Sequence, residues 1–90
     1  MEPNRCENTL EVLKILEALV QAIDRREEVF TAIESAETVE EASRVLETIL
    51  NVEESPARAV LDMQARRWTQ SERRKIVDHI EEIRSELESL

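Results

Sequence analysis

The chain has 90 residues, with 12 Lys and Arg against 21 Asp and Glu for a formal charge of −9, which bounds it to one small domain. It has no glycine, no tyrosine, two prolines and a single Phe and Trp, so the turn chemistry and aromatic content of sheets are missing, while 41% apolar residues set it apart from disordered chains. An all-α fold is expected, and one Cys (Cys6) with one His (His79) excludes an internal disulfide and a thiolate metal cluster.

Helix starts are clearly marked. Asn8-Thr9-Leu10-Glu11 places a cap residue ahead of an apolar run, so a first helix is expected near Thr9, with residues 1–8 a flexible N-terminus and 9–90 a single helical domain. Its Leu13, Leu16, Val20 and Ile23 follow a 3-4-3 spacing, and Val12, Ile15 and Leu19 widen the stripe, which implies cover on more than one side. A bend or short break is expected at 25–27, followed by weaker periodicity through Val29, Phe30 and Ile33. Thr38-Val39-Glu40-Glu41 is a capping box opening a helix that ends near Asn51, a residue tolerant of left-handed geometry. Ser55-Pro56 reads as cap and first helical position of a helix running from Ala57 to Trp68. Thr69-Gln70-Ser71-Glu72 is a further capping box, and Ile76, Ile80, Ile83, Leu87 and Leu90 follow it at 4-3-4-3 spacing.

The simplest closure packs the first and last helices antiparallel as a short stalk carrying a small helical head. Its seam would be Leu13, Leu16, Val20, Ile23, Ile76, Ile80, Ile83 and Leu87. A core this small leaves a modest margin, so self-association is expected.

Charge is polarised along the chain. Residues 27–55 hold nine acids and one base, and residues 56–75 hold six bases and two acids. The basic stretch has Trp68 as its only interleaved aromatic and an acidic neighbour. It is therefore expected to complement an acidic face within the fold or across a dimer, rather than to contact nucleic acid directly. His79 lacks a nucleophile beside it, and the paired glutamates point about 100° apart on a helix, so both read as solvated surface and no catalytic residue, metal or other cofactor is expected. No glycine is present to cradle a phosphate. No apolar run reaches the roughly 18 residues of a membrane span, and the N-terminus lacks the apolar stretch of a signal peptide, so a cytoplasmic chain with Cys6 as a free thiol is expected.

Several segments then resemble one family in collinear order: Leu13-Lys14-Ile15-Leu16-Glu17-Ala18-Leu19, Ala22-Ile23-Asp24, Thr38-Val39-Glu40-Glu41-Ala42, Ala57-Arg58-Ala59-Val60-Leu61-Asp62-Met63-Gln64-Ala65-Arg66-Arg67-Trp68-Thr69 and Glu72-Arg73-Arg74-Lys75-Ile76. Across about four-fifths of its length the chain resembles the coiled-coil and dimerisation segment of the type IIA topoisomerase A subunits, those of DNA gyrase and topoisomerase IV. Gln64, Ala65, Trp68 and Gln70 stand where that family commonly has arginine, leucine, leucine and glycine.

The resemblance implies an exit gate, or C-gate: a helical knob on a two-helix arm where two A subunits meet, parting to release a passed DNA segment. It implies a mechanical homodimerisation role and, by the same surface, a mixed dimer with a full-length A subunit. The family's cleavage uses a tyrosine from a different domain, and this chain has none, so no enzymatic activity is expected. On the predicted Ala57–Trp68 helix, Ala57, Leu61, Ala65 and Trp68 share one face, assigned with Leu46 to the head core. Val60, Met63, Gln64 and Arg67 share the next, assigned to the dimer interface. The alternative places Val60 and Met63 in the chain's own core. A small acidic helical adaptor or antitoxin-like regulator, binding a basic protein through residues 27–55, is the alternative function.

Overall fold

The computed structural model describes residues 5–89, with side chains from Glu7 onward, so the expectations for the Cys6 thiol and for Leu90 lie outside the described residues. The fold is all-α: α1 (Arg5–Asp24), α2 (Arg26–Ser35), α3 (Val39–Leu50), α4 (Glu54–Leu61), a 3-10 turn (Ala65–Trp68) and α5 (Gln70–Glu88). Helix α1 starts at Arg5 instead of Thr9, so residues 5–8 of the segment expected to be flexible are helical. A cap signal marks where a helix is able to begin. None of Arg5, Cys6, Glu7 and Asn8 is a helix breaker, and Glu7 in the first turn suits the positive end of the helix dipole.

The expected break falls at Arg25, whose φ of −118° and ψ of 38° leave the helical region. Its guanidinium donates to the Ile49 carbonyl at 2.8 Å, and the Gln21 side-chain amide donates to the Leu50 carbonyl at 2.8 Å. Both carbonyls belong to the last turn of α3, where no intrahelical donor remains, so the α1–α2 junction serves the orphaned acceptors of another helix. At that same end Asn51 adopts φ 55° and ψ 53°, and the Val52 N–H closes back on Glu47 O at 3.0 Å, a Schellman-type stop.

Helix α3 starts as a capping box predicts on one side: Thr38 Oγ1 accepts from the Glu41 N–H at 3.1 Å. On the other side the Glu41 carboxylate accepts from Glu37 N at 3.1 Å, one residue before the cap. Helix α4 begins at Glu54, with Glu53 as cap, so Pro56 occupies the third position; it too has no intrahelical acceptor to lose there.

The expected continuous helix from Ala57 to Trp68 does not form. Helix α4 stops at Leu61, Gln64 is extended (φ −65°, ψ 148°), and the chain resumes as a 3-10 turn. No glycine or proline forces this, so the cause is tertiary. A straight helix would carry Trp68 about 10 Å along the axis from Leu61. The break instead lets the indole lie against Phe30 with ring centroids 4.9 Å apart. It also presents the Trp68 carbonyl to the Arg26 guanidinium at 3.1 Å.

Helices α1 and α5 run antiparallel: Asp24 pairs with Arg73 and Glu17 with Arg84, so positions rise on one helix as they fall on the other. Ile76, Ile80 and Ile83 of α5 are buried together with Leu16, Leu19 and Ile23 of α1, while Leu13, Val20 and Leu87 are partly buried at the edges. Helix α4 also lies along α1, and α3 packs on α2 and α4, so the shorter helices flank the antiparallel pair as well as closing one end. This two-sided cover explains the widened stripe of α1, where Ala18 and Ala22 are nearly inaccessible. Leu46, Leu50, Val29 and Val60 form the most enclosed part of the core. Among the described residues no helix is long and apolar enough to cross a membrane.

Candidate interaction surface

A groove of about 290 Å³ opens where α2, the end of α4 and the 3-10 turn meet. It is lined by Phe30 and Ile33 from α2, Val60 and Leu61 from α4, and Met63, Ala65 and Trp68 beyond the break. Phe30 remains 45% exposed although its ring stacks obliquely on Trp68, at an interplanar angle of 43°. Arg26 holds the two walls together, donating from Nη2 to the Trp68 carbonyl and from Nε to the Ile23 carbonyl at 3.3 Å.

The structure redistributes the residues assigned from sequence. Val60 lies at the floor of this groove and is 1% exposed, so the chain's own helices cover nearly all of its surface. Met63 is partly buried in the groove, Gln64 is exposed, and Arg67 is half-buried against Glu72. Leu46 and Ala57 are fully enclosed, whereas Leu61 and Trp68 are only partly covered. Ala65 is exposed, and its assignment to the head core is corrected: with the helix broken at Gln64 it no longer follows the face of Ala57 and Leu61. Phe30 and Ile33 were not singled out from sequence as site residues. Their signal was the i, i+3 spacing of the chain's sole phenylalanine with an isoleucine.

The residues lining this groove are uncharged, and Glu27 lines the neighbouring groove between α2 and α3. On α2, Glu27 and Glu34 lie one turn either side of Phe30, on the flank away from Ile33, and both are exposed. In the 3-10 turn, Arg66 and Arg67 have guanidinium nitrogens 3.5 and 3.6 Å from one Glu72 oxygen, while Lys75 donates to the other at 3.1 Å. The Lys75 hydrogen bond, helped by the charges of Lys75, Arg66 and Arg67, holds the Glu72 carboxyl below the usual carboxylate range. Among the described residues no three His, Cys, Asp or Glu side chains cluster as metal ligands. The groove suits contact with another apolar surface.

No family model matches the chain. Among curated proteins, the DNA gyrase A protein of Mycobacterium tuberculosis (strain H37Rv) is 41% identical over 76 residues, 84% of this chain. The chain is similar to a segment of the DNA gyrase A protein. The gyrase A of Mycobacterium leprae is 38% identical over 76 residues, and that of Streptomyces coelicolor 38% over 73 residues. The matches cover 9%, 6% and 8% of these three gyrase A proteins, so the chain spans less than a tenth of the relatives it matches.

Proposed function

We propose that this chain is a non-catalytic homodimerisation module of the C-gate type, in which the antiparallel α1–α5 pair is a short coiled-coil stalk and α2 to the 3-10 turn the head. The observation that carries the reading is the match of 84% of an all-helical chain to one segment of gyrase A. An apolar groove on the head, with a half-exposed Phe30, supports it, because a contiguous apolar surface of this kind marks an interaction site. The family's DNA cleavage rests on a tyrosine, and these residues contain none, so the module contributes grip and not chemistry. Its setting is the cytoplasm, its partner a second copy, and the same surface would admit a full-length topoisomerase A protein into a mixed dimer.

Sedimentation equilibrium tests the reading directly. A species of twice 10.5 kDa in the micromolar range is expected, and a monomer up to millimolar concentration overturns the reading in favour of an acidic adaptor. Capture of the host's gyrase A protein on immobilised chain at low salt is expected for the mixed dimer, and recovery of none removes that partner.

A further inference from the structure

We propose that the groove between α2 and α3 is a docking site for a basic amphipathic helix of another protein. The inference goes beyond the dimer reading and does not depend on it.

The groove has a volume of about 500 Å³. Its floor is Ala32, Val45 and Ile49, with Val45 40% exposed, and its α2 wall runs from Glu27 to Ser35. That wall is about 12 Å long, a little over two helical turns. A partner helix can set two apolar side chains, spaced i and i+4, over such a length.

Charge decides what kind of helix fits. Glu27 and Glu28 stand at one end of the wall and are the only charged side chains lining the groove. Arg25 holds Glu28 through both carboxylate oxygens, at 3.0 and 2.8 Å, which leaves Glu27 exposed and, among the described residues, in no ion pair. At the other end the chain turns from α2 into α3. Glu34 in the last turn of α2, Glu37 in the connection, and Glu40 and Glu41 in the first turn of α3 are all exposed there, and among the described residues none is in an ion pair. The C-terminal pole of α2 adds partial negative charge at the same end.

An apolar floor between acidic ends is complementary to a helix that carries apolar side chains on one face and Lys or Arg beside them. A second copy suits it poorly, because a two-fold contact here would set acid against acid on chains of −9 each. The Phe30–Trp68 groove has an uncharged lining and makes no such selection.

The test is fluorescence anisotropy with a labelled synthetic helix of leucine and lysine, its leucines spaced i and i+4 along one face, at physiological ionic strength. Exposed charges more than about 8 Å apart are then largely screened. Binding in the micromolar range is expected, and no binding overturns the proposal. The same residues in scrambled order keep the charge and lose the apolar face, and should bind at least about tenfold more weakly; equal binding reduces the contact to charge alone and overturns the proposal. Val45→Asn at the floor and Glu27→Lys at the wall should each weaken binding of the leucine–lysine helix several-fold, with circular dichroism confirming that the variants are folded. Glu82→Lys, the same charge change on the exposed face of α5, should leave it nearly unchanged. A loss from Glu82→Lys equal to that from Glu27→Lys, or no loss from Val45→Asn, overturns the placement. Assembly of the chain beyond two copies that Val45→Asn abolishes gives the groove to a second copy and overturns the proposal as well. A monomeric wild type that binds the helix through Val45 and Glu27 supports this site while defeating the dimer reading.

Discussion

Arg73 donates from Nε and Nη2 to the two carboxylate oxygens of Asp24, each at 2.8 Å, across 49 positions of sequence. The last residue of α1 is thereby fixed to the first turn of α5 by a bidentate fork that only arginine provides. The side chains are 48% exposed for Asp24 and 30% for Arg73, so solvent screening keeps the coupling of the pair small. A double-mutant cycle with Asp24→Asn and Arg73→Gln in urea should return a small favourable coupling, and Arg73→Lys should lose most of it. A coupling of zero would mean that the apolar seam alone sets the α1–α5 register.

Three carboxyls are held below their ordinary range: Asp24 chiefly by the Arg73 hydrogen bonds, Glu28 by those from Arg25, and Glu72 by that from Lys75. Each has a lower pKa folded than unfolded, so the stability it contributes is present above the unfolded value and is lost as pH falls through the folded one. The midpoint for thermal unfolding should therefore hold above roughly pH 5 and decline through about pH 4 and below. Asp24→Asn should show a shallower acid decline than the parent chain. Equal slopes would show that Asp24 gains nothing from Arg73 on folding.

The two ends of α3 make opposite demands on their cap residues. Thr38→Ala removes the acceptor for the Glu41 N–H and should cost about 1 kcal/mol, with Thr38→Ser recovering most of it. At Asn51 the φ of 55° penalises a side chain branched at Cβ, so Asn51→Val should cost at least about 1 kcal/mol while Asn51→Gly is close to neutral. Chemical denaturation of the four variants checks both ends. A harmless Asn51→Val would show that the helix stop relaxes without its left-handed residue.

What was legible in the sequence was local in origin. Thr38 and Thr69 accept from the backbone N–H three residues on, Asn51 acts through its own left-handed backbone, and each begins or ends a helix where its chemistry places it. Isoleucines at 76, 80 and 83 fall on one face whatever they pack against, so a covered face on α5 could be inferred from spacing alone. The groove was not legible, because its causes are tertiary. Helix α4 stops without a breaker residue, since Trp68 and its carbonyl find Phe30 and Arg26 by leaving the helix. Every face assigned beyond Leu61 shifted with that break. Val29 and Phe30 are adjacent and point about 100° apart on α2. The structure encloses Val29 completely and leaves the larger Phe30 half outside, a choice made by the space between α2 and α3 and invisible to periodicity.

Ser43 presents the clearest opportunity to stabilise the fold. It lies in the middle of α3, 2% exposed, and among the described residues its hydroxyl has no hydrogen-bond partner. A buried hydroxyl without a partner forfeits its hydration for nothing in return, at a cost of about 1 to 3 kcal/mol. Serine is also a weaker helix former than alanine by several tenths of a kcal/mol. Replacing it by alanine removes one oxygen and leaves a gap no larger than a methyl group, so little packing is lost. Ser43→Ala should therefore raise the free energy of unfolding by about 1 kcal/mol, read as a higher urea midpoint with an unchanged slope. Ser43→Val, which fills the space with a branched side chain, should gain less because the rigid Cβ crowds the preceding turn. A lowered midpoint for Ser43→Ala would show that the hydroxyl bonds a carbonyl of the preceding turn, and that the helix depends on it.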